Sequence, residues 1–236
     1  ARMMPVVIFC GGLGTRFPEE TESKPKPMIE IGGRSLLARL IEIFERQGFD
    51  EIILCAGYKG AMIRQAFPRH LCVDTGETAP TGARLAAVLP FISDRSCLVT
   101  YGDGLANIDC RALVQHHETT GTIATLTAVH PWANRFGVLG LAGSRVVTFR
   151  EKPADLYING GFIVCNPEIA PYLSLDEGCV FERVLEQLAL AGELGAYRHD
   201  GFWACMDTRR DWLVLHDMCE RGERPWEWTG ATGPSS

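Results

Sequence analysis

Short apolar runs rich in β-branched residues alternate along this chain with longer stretches in which apolar residues recur every three or four positions. The runs PVVIFC, EIILCAG and SCLVTYGDG have the length and composition of buried strands. In SLLARLIEIFERQG, the apolar residues instead share one face of a helix; they are Leu36, Leu37, Leu40, Ile41 and Phe44. This alternation predicts parallel strands connected by helices.

The second half of the chain alternates less regularly. A helix over about residues 110–119 leads into TIATLTAV, and the runs GVLGL, RVVTFRE and GGFIVC then follow with too little sequence between them for helical crossovers. Two more helices are predicted in VFERVLEQLALAGE and RRDWLVLHDMCERG, with a strand in YRHDGFWACMDT that returns to the sheet. The predicted fold is α/β: a Rossmann-like, mixed but mostly parallel sheet flanked by helices, with a small C-terminal antiparallel and helical subregion.

The chain shows no internal repeat, charge block or proline-rich linker. We therefore predict a single domain over residues 1–228, followed by a small, polar and flexible tail over residues 229–236. The segment with Trp226 and Trp228 is predicted to pack against this domain or a neighbouring subunit. His116 and His117 are predicted to lie on an exposed helix face.

Composition narrows the classes of partner. The formal net charge of −6 and the isoelectric point near 5.6 disfavour nucleic acid as a partner, although they allow a small anion in a local basic pocket. The nine cysteines form no CxxC pair, which predicts small core residues in a reducing, cytoplasmic environment. No apolar run is long enough for a signal sequence or a membrane span, so we expect no membrane association.

The first candidate for chemistry is the loop CGGLGTRF, which directly follows the first predicted strand. A dinucleotide-binding GxGxxG motif fails here because its third glycine position holds Phe17, which disfavours an NAD-dependent oxidoreductase. A Walker-type loop fails as well, since no lysine follows a glycine at the required spacing.

What remains is a glycine turn that carries its own cations. Glycines let backbone N–H groups approach an anion closely, and basic side chains supply charge, a combination that suits a triphosphate. The residues concerned are Gly11, Gly12, Gly14, Arg16, Lys24 and Lys26. An ordinary turn with solvated basic residues is the alternative.

Two acidic residues follow predicted strands. Asp103 comes directly after the run Cys97–Thr100 with a glycine on each side, and Asp207 follows FWACM. Carboxylates at the carboxyl ends of strands are well placed to hold Mg²⁺ together with a triphosphate. A surface turn at Asp103 and a helix N-cap at Asp207 are the alternatives. In REKPADLYINGGFIV, Lys152 could hold a second phosphate and Asn159 a polar group, or both could be plain surface residues.

Several motifs occur together in a fixed order: GGLGTRF with KPKPMIEIGG, DTGETAPTGARL, TYGDG, LTA, RFG, EKP, INGGF and GFWACMDTRRD. In this order they resemble glucose-1-phosphate cytidylyltransferases, members of the sugar-1-phosphate nucleotidyltransferase superfamily. The resemblance covers about Val6 to Trp226. It implies a magnesium-dependent cytidylyltransferase that uses CTP and a small anionic acceptor.

The resemblance also implies roles for individual residues. The phosphates of the nucleotide would be wrapped by Gly11, Gly12, Gly14, Thr15 and Arg16. Lys26 would lie near the α-phosphate, so that Arg16 and Lys26 are the catalytic candidates, and Mg²⁺ would bind Asp103 and Asp207. Thr81 and Gly82 would lie near the base, with Arg84 toward the phosphates. The acceptor would face Arg135, Glu151, Lys152 and Asn159.

One segment departs from that pattern. Before VDTG the chain has only FPRHLC, where glucose-1-phosphate cytidylyltransferases carry a longer segment associated with oligomerisation and the acceptor side. Short forms resemble relatives that load CMP onto phosphonates such as phosphonoformate, and we therefore expect a phosphonate or phosphate acceptor, with glucose 1-phosphate as the alternative. Homo-oligomerisation stays open. A non-catalytic nucleotide sensor is disfavoured because both Asp103 and Asp207 are present.

Overall fold

The computed structural model describes residues 3–132 and 137–230. The strands are β1 (Val6–Phe9), β2 (Glu30–Ile31), β3 (Arg34–Ser35), β4 (Ile52–Ala56), β5 (Leu71–Asp74), β6 (Cys97–Tyr101), β7 (Gly104–Ala106), β8 (Ala124–Val129), β9 (Gly137–Ala142), β10 (Arg145–Glu151), β11 (Ile158–Asn159), β12 (Ile163–Cys165), β13 (Leu194–His199) and β14 (Trp203–Cys205). The α-helices are α1 (Pro18–Thr21), α2 (Leu36–Glu45), α3 (Gly60–Ala66), α4 (Thr81–Ile92), α5 (Cys110–Thr120), α6 (Phe181–Leu190) and α7 (Arg209–Glu220). Two short 3₁₀ segments cover Lys26–Met28 and Pro167–Tyr172.

The central sheet has eight strands and is mixed but mostly parallel, as the pattern predicts. From one edge, β5, β4, β1 and β6 are parallel neighbours, and β12 then pairs antiparallel with β6 and β8. β13 runs parallel along the whole of β8, so β12 and β11 share the opposite edge of that strand. The carboxyl ends of β1, β4 and β6 therefore lie at the same edge of the sheet.

Alternate residues of β1 face two separate cores. Val6 and Ile8 belong to one buried cluster, with the apolar face of α2, whereas Val7 and Phe9 belong to another, with residues of α4 and α6. This period of two is the expected consequence of a strand buried on both sides. Helix α2 begins where the Ser35 side chain accepts a hydrogen bond from the Ala38 N–H at 3.1 Å.

The predicted returning strand is two strands. β13 joins the central sheet, but the chain then turns at Asp200 and Gly201, and β14 pairs antiparallel with β7 in a separate two-stranded sheet. A Cβ at Gly201 would lie 2.5 Å from the Asn107 Oδ1 atom, so the turn packs too tightly for a side chain there. This small sheet and α7 form the predicted C-terminal subregion.

The prediction that His117 is exposed is wrong. Only 6% of this residue is accessible, and its ring bonds the Thr125 hydroxyl at 2.7 Å and the Asn166 Oδ1 atom at 2.9 Å. The helix face that carries His117 packs on β8 and β12, and polar partners in β8 (Thr125) and directly after β12 (Asn166) compensate the burial of the ring. Trp226 is buried against the domain, as predicted, with the Arg39 guanidinium 5.5 Å from its ring.

The antiparallel hairpin of β9 and β10 stands apart from the central sheet. It exposes several apolar side chains, including Leu141, Val147 and Phe149. No helix in the part of the chain that the structure describes is both long and apolar enough to cross a membrane. The domain boundary at residue 228 stays a prediction.

Candidate active site

The glycine-rich loop leaves β1 after Phe9 and ends at the buried Phe17. Gly12 and Gly14 have φ angles of +117° and +61°, which strain any residue with a side chain. At Gly14 there is also no room, because a Cβ would lie 2.5 Å from Thr21 Cγ2. The loop conformation therefore depends on glycine, and three of its glycines line a cavity of about 130 Å³; they are Gly11, Gly12 and Gly14.

A chain of alternating charges begins at the same cavity and extends outward from it. The Lys26 ammonium donates to Asp103 Oδ2 at 3.1 Å and to Asp207 Oδ1 at 3.0 Å. Arg16 donates to the other oxygen of Asp207. Lys26 comes from the 3₁₀ segment after the loop, and Lys26 and Asp103 both line the cavity. The four residues that the sequence singles out as cations and metal ligands thus lie around one cleft.

The two-stranded sheet of β7 and β14 brings Asp103 and Asp207 together. Asp103 precedes β7 and Asp207 follows β14, and these strands pair so that Gly104 lies opposite Cys205. The Met206 N–H then donates to the Asp103 carbonyl at 2.8 Å. Behind Asp207, the Asp211 carboxylate accepts from the Asp207 N–H at 3.0 Å. It also forms the capping box that starts α7 with Thr208.

Opposing effects set the charges of this cluster. Partial burial favours a high pKa for Asp207, but hydrogen bonds from Arg16 and Lys26 outweigh it and hold that pKa below its usual value. Burial likewise disfavours the charged form of Lys26, yet Asp103 and Asp207 raise its pKa overall. Both residues are therefore ionised at neutral pH, and the cleft contains fixed charges of both signs.

Besides the charged residues, the cavity is lined by two uncharged side chains that carry hydroxyl groups. Thr81, at the start of α4, and Tyr101, at the end of β6, both line it. Their hydroxyls donate to the two oxygens of Glu182, at 3.1 Å from Thr81 and 2.9 Å from Tyr101. The Asn159 amide donates to the Tyr101 hydroxyl at 3.3 Å. Burial and the adjacent Glu182 raise the pKa of Tyr101, so its phenol keeps its proton.

A glycine-rich loop, paired cations and two carboxylates around one cleft suit the binding of a nucleoside triphosphate, and the sequence comparison decides the family. The profile of the family described as nucleotidyl transferase matches residues 5–179. The chain belongs to the nucleotidyl transferase family.

Known relatives of this nucleotidyl transferase share almost its whole length. It is 38% identical to the glucose-1-phosphate cytidylyltransferases of Salmonella typhimurium and Salmonella typhi, over 95% of this chain and 99% of each relative. A solved structure of HddC from Yersinia pseudotuberculosis superposes with a TM-score of 0.70 at 24% identity, covering 94% of this chain and 100% of HddC. That likeness confirms the predicted fold class.

Two residues predicted to touch the nucleotide, Arg84 and Gly82, pack closely against other parts of the protein. Arg84 is 3% exposed, and its guanidinium donates to Thr75 Oγ1 at 2.8 Å and to the Gly76 carbonyl at 2.9 Å. A Cβ at Gly11 would lie 2.1 Å from the same guanidinium, so Arg84 supports the loop directly. Gly82 packs closely on Cys179, where a Cβ would approach the carbonyl to 2.5 Å. Direct contacts of either residue with a nucleotide stay predictions.

The residues predicted for the acceptor are less concentrated. Asn159 joins the cleft network through Tyr101. Glu151 and Lys152 are exposed at the end of the β9–β10 hairpin, and within residues 3–132 and 137–230 neither belongs to the cavity lining. Thr15 is exposed in the loop, and Arg135 lies outside the described residues.

Three residues of the site were missed in the sequence. Tyr101 stands next to Gly102 in TYGDG and lines the cavity, and its position at the end of a strand is a local signal for such a role. Cys205 lies beside Asp103, where burial and the carboxylate raise the pKa of its thiol and keep it neutral. Glu182 carries no motif, since it reaches Thr81 across 101 residues of sequence.

Proposed function

We propose that this nucleotidyl transferase moves CMP from CTP to glucose 1-phosphate and releases pyrophosphate. The observation that carries the proposal is the contact of Lys26 with both Asp103 and Asp207 in a cleft lined by the glycine loop. The Salmonella enzymes that resemble the chain over 99% of their own length supply the choice of nucleotide and acceptor.

The phosphonate acceptor expected from the short segment has no support among these relatives. Their alignment with this chain extends over 255 positions, more than its 236 residues, so they do contain segments that it lacks. Surface segments can change in length without altering the site that the core supports. Glucose 1-phosphate, the alternative, is therefore the better proposal.

In the proposed reaction, a phosphate oxygen of the acceptor attacks the α-phosphorus of CTP in line with the departing pyrophosphate. The acceptor phosphate is already ionised at neutral pH, so no side chain has to remove a proton. Lys26 and Arg16 supply positive charge where negative charge accumulates on the phosphates. The glycine loop lets the phosphates approach its backbone N–H groups closely. The protein acts by positioning and by electrostatic stabilisation.

We also propose that Mg²⁺ binds between Asp103 and Asp207. Both carboxylates lie within hydrogen-bond distance of the same Lys26 ammonium, so their oxygens converge on one point, as ligands of a common cation must. One or two carboxylates, completed by phosphate oxygens and water, are what Mg²⁺ prefers. The ion would neutralise charge on the triphosphate. Lys26 contacts the oxygens that the ion needs, so the two compete for them.

Pyrophosphate release tests the proposal. The purified protein would be assayed with CTP, UTP, GTP or ATP, each with glucose 1-phosphate or phosphonoformate, with Mg²⁺ or with a chelator. We expect release with CTP, glucose 1-phosphate and Mg²⁺ together, and a loss of at least about 100-fold in Asp103→Asn. Pyrophosphate release with phosphonoformate but not with glucose 1-phosphate would overturn the proposed acceptor. No release with any combination would overturn the proposed activity.

A further inference from the structure

One carboxylate, that of Glu182, ties together two hydroxyls of the cleft. Its Oε2 accepts from Thr81 and its Oε1 from Tyr101. Glu182 lies in the first turn of α6, and the N–H of the preceding residue, Phe181, donates to Thr81 Oγ1 at 3.0 Å. The Thr81 hydroxyl is thus held from two sides by the start of a helix.

These contacts fix the direction in which the Thr81 hydroxyl can bond a ligand. A hydroxyl has one proton to donate and two lone pairs that accept. Thr81 donates its proton to the Glu182 carboxylate, and one lone pair is taken by the Phe181 N–H. What remains available for a hydrogen bond at Thr81 Oγ1 is its second lone pair. Toward the cleft, Thr81 is an acceptor.

The geometry of the glycine loop indicates which part of a nucleotide meets Thr81. At its far end the loop carries Arg16, which contacts Asp207 in the charged cluster. At its near end Gly11 rests on Arg84, one turn into the helix that Thr81 begins. Thr81 lines the same cavity as Lys26 and Asp103, so a nucleotide whose triphosphate is held by the charged cluster can bring its base to Thr81.

We infer that Thr81, oriented by Glu182, selects cytosine over uracil by accepting a hydrogen bond from the exocyclic amine. The two bases differ at C4 of the pyrimidine ring, where cytosine has an amino donor and uracil a carbonyl acceptor. A carbonyl would face the Thr81 lone pair with no proton between them, which leaves two acceptors unpaired. Thr81 contacts the base in this account, and Glu182 is a positioning residue. The inference rests on the proposed function.

The test measures discrimination between two nucleotides. Binding of CTP and of UTP to the protein with Mg²⁺ is followed by calorimetry, and kcat/KM for each is measured with glucose 1-phosphate. We expect the wild type to prefer CTP by about tenfold or more. In Glu182→Ala the Thr81 proton can turn toward the ligand, so the preference should fall to within about threefold through improved use of UTP.

Variants of Thr81 separate orientation from general damage. Thr81→Val removes the acceptor at nearly constant shape and should lower CTP binding while leaving UTP binding almost unchanged. Thr81→Ser keeps the hydroxyl and should restore the preference. Glu186→Ala, an exposed position one turn further along α6, is the matched control and should behave as wild type.

Each outcome bears on a separate statement. Equal CTP to UTP ratios in wild type, Glu182→Ala and Thr81→Val would overturn the inference, as would a wild type without preference. A wild type that binds CTP selectively but releases no pyrophosphate with glucose 1-phosphate would instead overturn the proposed reaction, because the calorimetric comparison needs no acceptor.

Discussion

At the level of single side chains, the proposed reaction depends most on Lys26. Replacing it in Lys26→Met removes the cation that both carboxylates share. Pyrophosphate release should fall by at least about 100-fold, because the charge that stabilises the transition state is lost. The uncompensated carboxylates should bind Mg²⁺ more readily, so that Mg²⁺ without nucleotide raises the melting temperature of Lys26→Met more than that of the wild type.

A surface cation provides the control for that comparison. Lys59 is exposed and lies over the Tyr58 ring, with 5.5 Å between the ammonium and the ring centroid. Lys59→Met should match the wild type in both assays. A Lys26→Met protein with near-normal turnover would remove Lys26 from the mechanism, and one with an unchanged response to Mg²⁺ would remove the competition for the carboxylates.

Asp207 should make stability depend on pH. Its pKa in the folded protein is lowered below the unfolded value of about 3.9. Its contribution to stability is therefore present above about pH 4 and is lost as the pH falls through the folded pKa. Asp207→Asn should cost about 1 kcal/mol near neutrality. The difference from the wild type should shrink below about pH 4.

Urea unfolding between pH 3 and 7 measures this dependence. Asp217→Asn, exposed on α7, changes the same kind of charge outside the cluster and should give a pH profile parallel to that of the wild type. An Asp207→Asn protein whose destabilisation is constant across the range would show that the carboxylate is not stabilised by its cationic neighbours.

The charged residues of the cleft could be predicted from sequence, whereas Glu182, which bonds the two hydroxyls of the cleft, could not. Arg16, Lys26, Asp103 and Asp207 stand in short local motifs at strand ends. Glu182 has no such signal, because its contacts with Thr81 and Tyr101 exist only after helix α6 packs beside α4. Long-range hydrogen bonds of this kind depend on tertiary placement, which local patterns do not specify.

Among the structural elements, the glycine loop and helix α4 depend on each other. In Gly11→Ala the new methyl group would meet the Arg84 guanidinium, which four hydrogen bonds to Ala56, Thr75, Gly76 and Glu77 hold in place. We expect a loss of about 2 kcal/mol in unfolding free energy. The loss should be smaller in the Arg84→Ala background, where the methyl group has room.

A double-mutant cycle in urea unfolding measures this coupling. Gly178→Ala is the control, since a Cβ there has no neighbour within 4 Å and the variant should be nearly neutral. Strictly additive effects of Gly11→Ala and Arg84→Ala would contradict the contact between loop and helix.

Strong periodicity made some elements predictable and its absence hid others. Helix α2 has a clear apolar face and a serine cap, and the predicted and observed helices agree closely. Helix α4 contains Pro90 within TGARLAAVLPFI, and its first turn is largely buried, so no one-sided pattern marks it. The pattern predicts one strand where the structure has β13 and β14, because Asp200 and Gly201 interrupt the run only briefly, and the two strands pair in different sheets.

The whole molecule should be stabilised by its nucleotide. A ligand at about 100 times its dissociation constant adds about 2.7 kcal/mol to the stability of the folded state. For a chain of this size that corresponds to a rise of about 5–10 °C in melting temperature. CTP with Mg²⁺ should produce this rise, and GTP a much smaller one at equal concentration. Equal shifts by both nucleotides would contradict a site that selects the base.

The overall fold was predictable because parallel strands joined by helices leave a strong pattern. The β9–β10 hairpin was visible as two strand-like runs, but its separation from the central sheet was not, since its apolar residues remain exposed. Homo-oligomerisation stays open, and sedimentation of the purified protein would measure it.

Phosphorus NMR of the reaction mixture follows both products at once and tests the account most directly. With CTP, glucose 1-phosphate, Mg²⁺ and the wild-type protein, the account predicts that CDP-glucose and pyrophosphate appear in equal amounts. Lys26→Met should leave the CTP signals intact. Release of free CMP or inorganic phosphate instead, or the absence of any new signal with the wild-type protein, would contradict it.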